Sequence, residues 1–361
     1  MRALHIHAGP GALQHLQRQG LSPQDVSVVP GAAGGPKGLI LGPLDQFLFG
    51  EWLPQSQQPV HLVGASIGAW RMATACLQDA VPAFQRLTHD YIHQHYELQP
   101  GQSRPSAAQV SREFGRSLTM FYGGKISELL RHPRYRLHVV TSHGRGLLSR
   151  ESRWATPVGY AAAYLANAAH RPALGAFLER VVFSSPLQNG APADLPFGTD
   201  DFRTLQSCLS ENNFMAAVQA SCAIPFVLQA VHDVPGGPAG AYWDGGITDY
   251  HLHLDYRHQP GLVLYPHFQK QVVPGWLDKA WKHRHGATPF LDRVLLLSPN
   301  PAWVATLPNG KLPDRSDFMR YGQDLQARVR VWQQAVSAAQ QLADEWAQWL
   351  ARPDMGLVMP L

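Results

Sequence analysis

Residues 59–68 read Pro59-Val60-His61-Leu62-Val63-Gly64-Ala65-Ser66-Ile67-Gly68. The run before Gly64 is apolar and of strand length, and Ile67 to Leu77 carries the spacing of a buried helix. A strand that turns sharply into a helix around a serine is a nucleophile elbow, and small neighbours are needed because the turn is tight. The helix beginning beside Ser66 would aim backbone N–H groups at developing negative charge. The same pentapeptide also occurs as a purely structural turn, so the surrounding chain has to decide its meaning.

Upstream, residues 24–35 form a second unit of this kind, Gln-Asp-Val-Ser-Val-Val-Pro-Gly-Ala-Ala-Gly-Gly, a short apolar strand running into a glycine turn. A helix is expected from about Lys37 to Phe49. Two strand–turn–helix units in succession predict an α/β fold with a mainly parallel central sheet and helices on both faces. Further strands are expected at Tyr135–Ser142, Arg180–Ser184, Gly261–Tyr265 and Arg293–Leu297, each a brief Val, Leu, Ile or aromatic run between breaks. Residues 79–134 read as partly helical, interrupted near residues 101–106. Ser210 is placed to cap a helix ending at about Ser221, before Ile224-Pro225. Ser316 to Leu350 is helical in composition, with Trp332, Trp346 and Trp349 as a packing stripe.

The chain has 361 residues, 45% hydrophobic and 16% charged, which favours a packed interior over disorder. One elaborated domain is expected over residues 1–361, with a motif-bearing core at about 24–300 and a helical extension at about 316–352. The formal charge of +4 comes from scattered basic residues, an argument against a nucleic-acid partner. No apolar run reaches signal-peptide or transmembrane length, so a soluble cytoplasmic protein is expected. Cys76, Cys208 and Cys222 sit in apolar segments and read as buried free thiols. The 18 histidines show no metal-finger or His-Glu-x-x-His spacing, and neither a metal nor an organic cofactor is expected.

Two further stretches carry chemistry. Ala33-Gly34-Gly35-Pro36-Lys37-Gly38 lies between a strand and a helix, where glycine turns bind anions or oxyanions. It is not a Walker A loop, since Gly38 stands where Ser or Thr should hold magnesium. It offers instead a nest of N–H donors from Gly34 and Gly35, whereas Pro36 cannot donate. Tyr242-Trp243-Asp244-Gly245-Gly246 leads an acidic residue out of an apolar stretch. It can expose one carboxylate beside a serine, or be a simple Asp-Gly hairpin turn.

A glycine turn, then Gly-x-Ser-x-Gly, then Asp-Gly-Gly, in that order, resembles the patatin-like lipid acyl hydrolases. Ala220-Ser221-Cys222-Ala223-Ile224-Pro225-Phe226 is similar to the Ala-Ser-x-Ala-x-Pro block those proteins carry before their aspartate. The resemblance covers about residues 27 to 250. It implies a three-layer α/β/α fold and a Ser-Asp dyad, with Ser66 as nucleophile, Asp244 as general base and the Gly34–Gly35 turn as oxyanion hole. Lys37, Gly38, Gly64, Ile67, Gly68, Gly245 and Gly246 complete the motifs, and the substrate would be a lipid or other acyl ester. Two departures bear on the donor geometry and charge: Ala33 replaces the first of three glycines, and Lys37 stands where arginine is frequent.

Two other readings remain open. A Ser-His-Asp esterase could recruit His251 or His253, although chain order disfavours it, and a non-catalytic lipid- or protein-binding member could share the fold. Residues 275–286, with Trp276, Trp281, Lys279, Lys282 and Arg284, are a candidate peripheral membrane contact or a packed surface helix. The sequence says nothing about oligomeric state.

Overall fold

The two glycine turns leave the sheet at one edge, because their strands run parallel with Gly31 opposite Gly64. This arrangement is seen in a computed structural model that describes residues 1–98, 101–102 and 104–361. In chain order the strands are β1 (Leu4–Ala8), β2 (Val26–Gly31), β3 (Val60–Ala65), β4 (Tyr135–Gly144), β5 (Leu178–Ser184) and β6 (Thr204–Cys208). They continue with β7 (Val231–His232), β8 (Ala241–Trp243), β9 (Leu262–Pro266), β10 (Val294–Pro299) and β11 (Val358–Pro360).

The sheet runs β11-β1-β10-β9-β2-β3-β4-β5-β6, and β8 joins β4 at its end and carries β7. The stretch from β10 to β4 is parallel throughout, while β1 and β5 run antiparallel to their inner neighbours. Helices flank the sheet, giving the expected α/β class with a mainly parallel centre. Parallel strands lie buried between layers, so β3 and β9 read as nearly unbroken apolar runs rather than alternating ones.

Several local expectations need correction. The helix expected from Lys37 begins at Gly35 and changes pitch along its length. It is a 3₁₀ helix over Gly35–Leu41, an α-helix over Gly42–Phe47 and a π-helix over Leu48–Trp52. Ser210 does not cap the next motif helix, which spans Phe214–Ser221. Asn213 precedes it instead: its Oδ1 accepts from the Ser210 N–H at 2.8 Å, and its Nδ2 reaches the carbonyls of Cys208 and Pro235 at 2.9 Å. That tie spends residues 210–213 on a turn. Of the interruption near residues 101–106, Ser103 lies outside the described residues; the helix Ala107–Tyr122 follows it, capped by Ser106.

The helical C-terminal region is three helices, Ser316–Tyr321, Leu325–Ala338 and Gln340–Ala351, and the chain then returns to the sheet as β11 beside β1. Trp332, Trp346 and Trp349 are buried, with Trp346 and Trp349 stacked at 5.1 Å between ring centroids. Residues 275–286 do not form a helix. They make two short 3₁₀ turns, Trp276–Asp278 and Lys282–Arg284, anchored because buried Asp278 is paired with Arg171 at 2.5 Å and Arg284 at 2.8 Å. Cys208 is partly exposed, unlike Cys76 and Cys222, because its strand lies at the edge of the sheet. Among the described residues no helix is long and apolar enough to cross a membrane.

Candidate active site

Ser66 lies between β3 and the helix Ile67–Ala75, as the residue preceding its first turn, with φ 56° and ψ −127°. A non-glycine residue at positive φ is strained by about 1–3 kcal/mol, and such residues persist only where their surroundings hold them. The flanking glycines are part of that hold. A side-chain carbon on Gly68 would lie 1.7 Å from the Gly31 carbonyl oxygen, and one on Gly64 would lie 2.4 Å from Cα of Ala69. The helix can press against β2 and β3 only because both positions lack a side chain.

The Ser66 hydroxyl donates to Asp244 Oδ2 at 2.8 Å. Asp244 follows β8, and its second oxygen accepts the Gly246 N–H at 2.7 Å, which fixes the carboxylate plane. Both residues are buried, at 4% and 5% exposure, so the pair sits in a low-dielectric setting where hydrogen bonds are strong. Burial is the largest influence on the Asp244 carboxyl and raises it above the ordinary carboxylate range. Arg315, the Ser66 hydroxyl, the Gly246 N–H and Lys279 pull the other way. The hairpin alternative for Asp244 is thereby replaced by a turn whose carboxylate faces a serine hydroxyl.

The segment from Ala220 to Pro225 joins these two pieces. Ser221 Oγ accepts the Ser66 N–H at 2.9 Å and donates to the Val140 carbonyl at 2.6 Å. The carbonyls of Ser221 and Ala223 accept the N–H groups of Gly245 and Asp244 at 3.1 and 2.9 Å. One segment therefore holds the backbone of both the serine and the aspartate. Sequence reasoning found the block but assigned Ser221 no task. Cys222, read only as a buried thiol, lines the cavity beside Ser66, and burial with the nearby Asp244 charge pushes its thiol well above its ordinary range.

Gly34 and Gly35 stand at the head of the 3₁₀ helix and line the cavities that contain Ser66. Among the described residues neither N–H donates to a protein acceptor, as expected for groups at a helix start. Ala33, the departure from three glycines, bonds through its N–H to the Tyr250 carbonyl at 2.9 Å. The glycine turn and the chain after Asp244 are thereby joined. Lys37 lies with its Nζ 5.4 Å from the Phe268 ring centroid, and Gly38 is covered by the Ile67 side chain. Gly245 packs against the Val140 carbonyl and Gly246 against Ala33.

Two cavities meet at Ser66. One, of about 630 Å³, is mainly apolar, walled by Trp70, Val110, Phe114, Leu228 and Phe318 among others. The other, of about 250 Å³, is lined by Asp244, Lys37, Lys279 and Arg315. Ser66, Ile224 and Arg315 border both. Lys279 was grouped with a surface segment in the sequence, and Arg315 lay beyond every motif. Neither has a local signal, because each reaches the site from a separate loop.

The histidines expected of a Ser-His-Asp arrangement are elsewhere. His251 Nδ1 is within 3.1 Å of the Gln271 carbonyl, His253 Nδ1 is within 2.9 Å of the Val272 carbonyl, and burial holds both rings below their ordinary range. Asp249 is paired with Arg180 at 2.6 Å. Among the described residues no histidine hydrogen-bonds to Ser66, and no cluster of three His, Cys, Asp or Glu could hold a metal.

No protein-family model matches the sequence, and no curated protein matches it. Among solved structures the chain is similar to VipD from Legionella pneumophila, at 14% identity and a TM-score of 0.35, over 95% of this chain and 70% of that one. So distant a likeness leaves the chemistry of the site to rest on its own geometry.

Proposed function

We propose that the chain is a serine acyl hydrolase of the lipid acyl hydrolase, phospholipase A or carboxylesterase type, working through a Ser66–Asp244 dyad. The observation that carries this reading is the 2.8 Å hydrogen bond from the Ser66 hydroxyl to Asp244 at a strained strand-to-helix elbow. A serine hydroxyl is a weak nucleophile unless a base accepts its proton, and a carboxylate raised by burial is a better base than one in water.

In the proposed reaction Ser66 Oγ attacks the ester carbonyl carbon as its proton passes to Asp244. Charge on the carbonyl oxygen is received by the Gly34 and Gly35 N–H groups, which donate to no other protein group among the described residues. The tetrahedral intermediate collapses, Asp244 returns the proton to the departing alcohol, and Ser66 keeps the acyl group. Water then attacks the acyl-enzyme as Asp244 accepts its proton, and collapse of the second intermediate returns that proton from Asp244 to Ser66 Oγ, releasing the carboxylic acid and restoring the dyad. The apolar cavity of about 630 Å³ suits a lipophilic acyl chain.

A fluorophosphonate probe tests the reading directly. Covalent labelling of the wild type, absent in Ser66→Ala, together with hydrolysis of a medium-chain acyl ester, is expected. An unlabelled wild type that hydrolyses no ester would leave the fold as a binding module.

A further inference from the structure

The two turns that meet at Ser66 belong to separate pieces of chain. Gly34 and Gly35 head the 3₁₀ helix Gly35–Leu41, which continues into the α-helix Gly42–Phe47, whereas Ser66 precedes the helix Ile67–Ala75. The strands beneath the turns stay in register as far as Gly31 and Gly64. Beyond that point, among the described residues, a single pair of side chains hydrogen-bonds directly from residues 34–52 to residues 64–77. The pair is Asp45 with Arg71.

Arg71 donates from Nε to Asp45 Oδ2 and from Nη2 to Asp45 Oδ1, both at 2.7 Å. Two parallel bonds from a planar guanidinium fix an angle as well as a distance. The Arg71 stem passes beneath the 3₁₀ helix, its Cδ 3.7 Å from where a side-chain carbon on Gly38 would sit, and that carbon would also lie 3.5 Å from the Ile67 side chain. The pair thus lies behind both turns and braces one helix against the other. Asp45 is 0% exposed and Arg71 3%; burial pushes the Asp45 carboxyl up and the Arg71 guanidinium pulls it back. An ion pair so far from water is a poor source of stability, since apolar side chains of similar volume often serve as well or better. What such side chains would not supply is the fixed angle between the helices.

We propose that Asp45 and Arg71 are positioning residues, which together set the distance from the Gly34 and Gly35 N–H donors to the carbonyl oxygen of an ester attacked by Ser66. The proposal rests on the acyl-hydrolase reading and adds to it a control of oxyanion stabilisation from outside both cavities. Donors displaced by about 1 Å lose more of their bond to the charged tetrahedral intermediate than to the neutral ester, so the loss falls on kcat.

The test measures wild type, Asp45→Leu/Arg71→Met and Arg71→Lys on para-nitrophenyl octanoate, with denaturant unfolding alongside. Both partners are replaced together because removing one strands the other as a buried charge. Octyl trifluoromethyl ketone gives a second readout: Ser66 Oγ bonds to its carbonyl carbon, the hydroxyl proton passes to Asp244, and negative charge settles on the ketone oxygen. The double variant is expected to unfold at the wild-type midpoint or above it. Its kcat should be roughly ten- to a hundredfold lower with KM within about twofold, and its affinity for the ketone should fall by the same factor as kcat. Arg71→Lys, which keeps the charge but loses the fork, should lie between the two. A folded double variant with wild-type kcat and ketone affinity, or a loss carried by KM alone, overturns the inference and leaves the hydrolase reading standing. Should the double variant fail to fold, Arg71→Lys decides, and an unchanged kcat in it overturns the inference. A wild type that neither hydrolyses the ester nor is labelled by a fluorophosphonate overturns both.

Discussion

The chain up to Tyr250 and the last hundred residues meet in one site but build it by different means. The first part works through backbone: an elbow at Ser66, a turn at Gly34–Gly35, and a carboxylate held by the Gly246 N–H. The second part works through reach, extending Lys279 and Arg315 from loops into a cavity that already contains Ser66. Backbone geometry of this kind tolerates almost no substitution, whereas a long side chain can be exchanged without disturbing the fold. Changes to the backbone-built part should therefore stop turnover, whereas changes at Lys279 or Arg315 should tune the site and leave the fold intact.

The sharpest way to break that comparison is Asp244→Asn. It removes the proposed base but keeps the volume, and turnover should fall by a factor of about a thousand or more. Stability should not fall with it. The folded-state value of Asp244 is raised, so the stability it lends is present below the ordinary carboxylate range and is lost as pH rises through the raised value. At neutral pH the buried charge is a burden, and thermal unfolding should find Asp244→Asn as stable as the wild type or more so. A variant that remained fully active would remove Asp244 from the chemistry.

Ser221→Ala should come next, with kcat lowered roughly ten- to a hundredfold, because the Ser66 N–H loses its partner and the elbow its tether. A change confined to stability would reduce Ser221 to packing. Arg315→Met should act through pH. Arg315 is the largest influence lowering Asp244, so its removal should move the acid limb of kcat/KM to higher pH, measured on a neutral ester. An unmoved limb would separate Arg315 from the base. The smallest effect is expected far from the site, at Glu345, whose carboxylate accepts the Ala3 and Leu4 N–H groups at 3.0 and 2.9 Å and ties a C-terminal helix to β1. Glu345→Gln should cost about 1 kcal/mol in denaturant unfolding and leave turnover as it was.

The legible parts of the fold share a physical cause. β2, β3, β4, β5, β9 and β10 are buried between layers and so appear as compact apolar runs, with boundaries within two or three residues of those expected. β1 was missed because His5 and His7 interrupt it, although His7 is itself buried. β7 and β11 have two and three residues, too few for any period to show. Residues 275–286 looked amphipathic, but the ion pairs of Asp278 with Arg171 and Arg284 decide their shape, and one of those partners is far away in sequence.

The site divides in the same way. Ser66, Asp244 and the glycines could be singled out because close backbone approach demands particular residue types at fixed spacing. Ser221 was visible only as part of a block, since a serine that bonds a distant N–H resembles any other serine. Lys279 and Arg315 were unreadable as site residues because nothing beside them in sequence marks where their side chains end. The likeness to patatin-like hydrolases supplied the order of the motifs but reached no further than about residue 250.

The positive φ of Ser66 has a consequence for how such a protein survives in evolution. Glycine would occupy that conformation with less strain, so Ser66→Gly should release part of the roughly 1–3 kcal/mol stored there while leaving an inert molecule. Selection for folding alone would drift toward that inert form. The strain at this position therefore goes with a hydroxyl that glycine could not supply.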